Sequence, residues 1–133
     1  MRSNTRLLCC AIASGLLTLG AVAANAADPR IDAELIDADV NAAKGNALIQ
    51  VTVLDMDLID ADEAGGTPRN GQGHLHYRVD DGPVIATSAK KLAFHELQPG
   101  EHKIHVALVG NDHKPVGPEE TVTVMIPTAV LAN

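Results

Sequence analysis

The sequence predicts an all-β sandwich. Three observations carry this. Short apolar stretches alternate with period two, Gly/Pro/Asp turns separate them at regular spacing, and no stretch of the exported part keeps a helical period. The chain ahead of the sandwich reads as an export leader. Arg2 and Arg6 form a positive start, the stretch from Leu7 to Ala24 carries no charge, and Ala24-Asn25-Ala26 offers small side chains at a cleavage position. Residues 1–26 are therefore expected to be a signal peptide, and the protein periplasmic or secreted. The alternative, a membrane anchor, is opposed by Ser14, Gly15, Thr18 and Gly20 within a stretch at the short limit for spanning a bilayer.

Removal of the leader would take both cysteines, Cys9 and Cys10, with it. The mature chain then has no thiol, which excludes disulfides, cysteine catalysis, zinc-thiolate sites and blue-copper centres. Counted from residue 27, eight basic and seventeen acidic residues give a net charge of −9 with histidine neutral. Such a surface repels nucleic acid and anionic membranes and suits cations. No nucleic-acid partner is expected, nor a membrane after cleavage, and no feature identifies a protein partner.

Residues 27–46 form an acidic lead-in with one possible edge strand. The sandwich proper is expected over 47–127, with 128–133 as a tail. Residues 47–54 alternate Ile49, Val51 and Val53 against Gln50 and Thr52, a half-buried strand. Residues 55–72 make a long connection, acidic and then glycine-rich. Its acids, Asp55, Asp57, Asp60, Asp62 and Glu63, match no calcium-loop spacing and read as solvated. Residues 73–79 set Leu75, Tyr77 and Val79 against His74, His76 and Arg78. After the turn at Asp80-Asp81-Gly82-Pro83 come short strands at 84–87 and 91–96, the latter with Leu92 and Phe94 alternating. A tight corner, Leu97-Gln98-Pro99-Gly100, leads to a strand at 102–109 with Ile104, Val106 and Leu108 inward. Residues 110–118 read as a loop, and 120–126 as the last strand, with Val122, Val124 and Ile126 inward. These inward residues, with Leu97, are the expected core.

Leu97-x-Pro99-Gly100-x-His102-x-Ile104-x-Val106 resembles the corner between the fifth and sixth strands of immunoglobulin-like and fibronectin-III-like domains, with His102 where a Tyr often stands. More widely, Gly73-His74-Leu75-His76-Tyr77-Arg78-Val79-Asp80, the Pro-Gly-x-His corner and Gly110-Asn111-Asp112-His113-Lys114-Pro115 are similar to small secreted bacterial immunoglobulin-like domains of unknown function. The resemblance spans about residues 50–126. It implies an immunoglobulin-like sandwich of about seven strands and no particular activity.

His74 and His76, two apart on a strand, share a face roughly 7 Å apart at Cα, half of a copper or zinc site. In the implied fold the third strand pairs antiparallel with the sixth. That brings His113, and less directly Asp112, beside His74, while His105 faces outward to flank His76. The metal set is then His74, His76, His113, His105 and Asp112, with Cu or Zn as the ion. The alternative is that the histidines only hydrogen-bond and pin the loop. His102 reads as a corner residue whose ring bonds backbone, and His95 as solvent-facing with no ligand role. Catalysis finds no frame: Ser88 is the one serine beyond the leader, no phosphate-binding glycine loop occurs, and one Tyr, one Phe and no Trp leave no stacking platform. Two functions remain open, a non-catalytic exported domain that binds Cu or Zn, and a structural or protein-interaction module.

Overall fold

A computed structural model describes residues 27–128. The predicted leader, 1–26, and residues 129–133 lie outside the described residues. Eight strands form two sheets packed across one core. The first sheet has β1 (Arg30–Leu35), β2 (Ala47–Leu54) and β6 (Lys91–Phe94), in the order β1-β2-β6. The second has β3 (Asp57–Leu58), β4 (Gln72–Val79), β7 (Gly100–Gly110) and β8 (Pro115–Ile126), in the order β3-β4-β7-β8, with β5 (Ile85–Thr87) also paired to β4.

The period-two pattern decides which faces meet. Ile49 and Val51 of β2 face Leu75 and Tyr77 of β4, Ile104, Val106 and Leu108 of β7, and Val124 and Ile126 of β8. Every core residue expected from the sequence lies in this cluster, fully buried or packed against it. The Tyr77 ring meets Phe94 of the other sheet at 6.5 Å between centroids. Its hydroxyl donates to the Ala89 carbonyl at 2.8 Å, and burial pushes its pKa up to about 12. The two sheets also touch at one corner, where the Ala33 N–H on β1 donates to the Glu120 carboxylate on β8 at 2.8 Å.

The lead-in holds the expected edge strand, β1, antiparallel to β2. Several elements depart from the expectation. The lead-in also forms a short helix, α1 (Ala38–Ala42), that buries Ala42. The connection 55–72 is not devoid of regular structure. It contains β3, which pairs parallel with the start of β4, and one helical turn, α2 (Ala61–Ala64). Pieces of two to five residues show no readable period, so pattern could not find them. The last strand starts at Pro115, within the stretch expected to be loop. Proline is tolerated there because β8 ends the sheet order and a missing N–H on a sheet edge breaks no ladder bond.

The pairing that matters for function is β4 with β7, antiparallel: Gly73 opposite Gly110, His74 opposite Val109, His76 opposite Ala107 and Arg78 opposite His105. Gly73 is required by close approach, since a Cβ there would collide with the Val109 carbonyl. Beyond Gly110 the chain turns back through a tight loop. The His113 N–H donates to the Gly110 carbonyl at 2.9 Å, and the Gly110 N–H to the Lys114 carbonyl at 2.9 Å. His113 itself takes a left-handed conformation, φ 61°, which places this loop among three-residue hairpins closed by a left-handed residue.

Candidate metal centre

Alternation on β4 sends Leu75 and Tyr77 into the core and His74 and His76 to the outer face of the sheet. His74 is nonetheless fully buried, and His76 half-buried. The hairpin tip brings His113, exposed, over the pair. The His74 Nε2 lies 3.1 Å from His76 Nε2 and 3.3 Å from His113 Nδ1, and the last two are 3.1 Å apart. The three rings meet at centroid separations of 4.7 to 5.2 Å. Among the described residues, this is the one group of three or more His, Cys, Asp or Glu whose donor atoms converge closely enough to share an ion.

A triangle of ring nitrogens is poorly satisfied by hydrogen bonding alone. One proton on one nitrogen reaches a neighbour, or is shared by both, and leaves the remaining two facing lone pair to lone pair. Two protons set N–H against N–H. A cation accepts all three lone pairs together. Nitrogens 3.1–3.3 Å apart would subtend about 95–111° at an ion roughly 2.0–2.1 Å from each, near tetrahedral. Burial lowers the pKa of His74, helped by the nearby His76 and His113. Burial also lowers that of His76, helped by His113. Both are held toward the neutral form that ligation needs.

The other expected ligands do not join the triad. His105 flanks His76 on the outer face, as expected, and lines a depression with it, but its Nδ1 contacts the Thr121 hydroxyl at 2.9 Å and the Glu119 carboxylate at 3.4 Å. Asp112 turns away from His113, accepting from the Lys114 N–H at 3.3 Å and pairing with the Lys114 ammonium at 3.4 Å. It lines a separate groove of about 510 Å³ with Arg69 and Gln72. His95 is exposed beside Asn46. His102 does bond backbone, its Nε2 donating to the Gln98 carbonyl at 2.7 Å, while its Nδ1 meets Asp80 at 2.7 Å.

No protein-family model matches the chain, and no curated protein matches it. The site therefore stands on its own geometry.

Three features around it were not visible in the sequence. Asn111, buried at 1 % exposure, donates from its amide to the Thr67 carbonyl at 3.0 Å and so ties the 55–71 connection to the hairpin tip. The His74 Nδ1 is buried without a partner, as are the Asn111 and Gln72 side-chain oxygens. Ligation through Nε2 makes that Nδ1 a donor. Finally, Asp60, Asp62 and Glu63 of the α2 region are exposed, as expected, but they also border a cavity of about 450 Å³ with Ala86 and His113. Nothing local to 60–63 signals this, because the placement depends on how the connection returns to β4.

Proposed function

We propose that this protein is an exported, non-catalytic accessory domain that binds a Cu or Zn ion through His74, His76 and His113. The observation that carries the reading is the triangle of ring nitrogens, whose three contacts no arrangement of protons satisfies and one cation does. The near-tetrahedral angles suit Zn(II), which imposes no geometry of its own, whereas the general affinity order favours Cu(II) on the same nitrogens. Export is supported by the leader-like residues 1–26 and by a thiol-free remainder suited to an oxidising compartment. Among the described residues, no helix is long and apolar enough to cross a membrane. The resemblance to small secreted immunoglobulin-like domains agrees with the two-sheet fold and adds no activity.

The test is calorimetric titration of protein purified without an added histidine tag, with Cu(II) and with Zn(II). His76→Ala removes one of three donors and is expected to weaken binding at least tenfold, about 1.4 kcal/mol. His95→Ala, on the other sheet, is expected to change nothing. Dissociation constants weaker than roughly 0.1 mM for both ions, or equal behaviour of the two variants, would leave the histidines as a structural staple.

A further inference from the structure

We infer that an ion held by the triad keeps a fourth coordination position open to the cavity walled by α2, and that this position takes a small neutral nitrogen heterocycle of the imidazole kind in preference to an anion. The inference rests on the metal reading above and goes beyond it, from an ion that is stored to an ion that presents a binding site.

The ligand count is the first support. Among the described residues three donor atoms converge and no fourth His, Cys, Asp or Glu joins them. Structural zinc sites are closed by four protein ligands. Sites with three leave a position for water or a small ligand. Access is the second. His74 is sealed in the sheet, but His113 is exposed, and it forms one wall of the cavity of about 450 Å³. That volume falls within the range of small-molecule sites.

The chemistry of the walls supplies the selectivity. Asp60 is engaged by the hydroxyl and N–H of Ser88. The Asp62 and Glu63 carboxylates are exposed at the cavity wall. No Lys or Arg lines the cavity. Carboxylates at the mouth draw a divalent cation inward and repel an incoming anion, which would otherwise be favoured by the positive ion. A neutral imidazole meets both demands, since its pyridine-type nitrogen gives a lone pair to the ion while its N–H is free to donate to a wall carboxylate.

Co(II) makes the coordination visible. Protein expressed from the full sequence, without an added tag, is loaded with Co(II) and its visible d–d bands are followed during titration with imidazole and, separately, with azide. Imidazole is expected to shift the bands saturably, with half-saturation below about 1 mM and at least tenfold tighter than azide. The double variant Asp62→Asn/Glu63→Gln is expected to lose less than tenfold in Co(II) affinity, the loss of two attracting charges without the loss of a ligand, and to bind azide more tightly than the unaltered protein does. The inference is overturned if imidazole leaves the bands unchanged, or if azide binds as well as imidazole. It is equally overturned if the double variant loses more than tenfold in Co(II) affinity, for then a wall carboxylate is itself the fourth ligand. Absence of protein-dependent d–d bands, or bands unaltered in His76→Ala, is a different failure: it removes the metal reading itself.

Discussion

His113 combines an exposed ring with a left-handed backbone, φ 61°. A non-glycine residue held there costs of order 1 kcal/mol, and such strain gathers at functional positions. His113→Gly is therefore expected to separate fold from function: the thermal midpoint without metal does not fall, while Zn(II) binding drops at least tenfold. A fall in the midpoint would mean that the ring chiefly packs the loop. His102 carries a different prediction. Both its ring nitrogens face acceptors, the Gln98 carbonyl and the Asp80 carboxylate, so the doubly protonated form is favoured and its pKa is raised. A raised pKa stabilises the fold fully below the unfolded value of about 6.5, and the benefit fades as pH rises through the folded value. The difference in thermal midpoint between the unaltered protein and His102→Gln should thus be larger at pH 5.5 than at pH 8.5. A difference independent of pH would show that the ring acts through packing. His74 and His76 were legible as a pair, because strand parity is local. Their contact with His113 needed the strand pairing implied by the resemblance. His105 shows the limit of parity, which gave its face correctly but not its Thr121 and Glu119 neighbours.

Among the elements, the β4–β7 pair positions the site. Its register sets His74 opposite Val109 and so carries the β7–β8 hairpin tip back over the His-x-His pair. The close approach at Gly73 makes that register sensitive to a single methyl group. Gly73→Ala, blocked by the Val109 backbone carbonyl rather than by a flexible side chain, should cost about 1–3 kcal/mol in urea unfolding and loosen the site along with it. A variant as stable as the parent would mean that the two strands can separate locally without loss. The strands were readable because each alternates over several residues. The helical turns α1 and α2 and the two-residue β3 were not, because their conformation is imposed by what they connect.

For the whole molecule, the triad joins the middle of the larger sheet to a loop that also holds the 55–71 connection through Asn111 and Thr67. An ion there binds the folded chain and has no such site in the unfolded one. At about one hundred times its dissociation constant it adds about 2.7 kcal/mol, which for a domain of this size raises the thermal midpoint by several degrees per kcal/mol. Scanning calorimetry with Zn(II) and then with excess chelator should show the rise and its reversal, and His76→Ala should show little of either. Equal midpoints in all conditions would argue against binding to the native state. By itself the sequence determined the leader-like start, the absence of thiols beyond residue 26, the positions of the longer strands apart from the start of β8, and the inward set from Ile49 to Ile126, since these come from composition and from a side-chain period that each strand carries alone. Only the tertiary structure decided which outward histidines meet, that Asp112 and His105 turn to other partners, and that the acids of α2 wall a cavity beside His113. Those outcomes depend on register, on a hairpin's left-handed residue and on the return path of a long connection, and each is fixed by contacts between residues far apart in the chain.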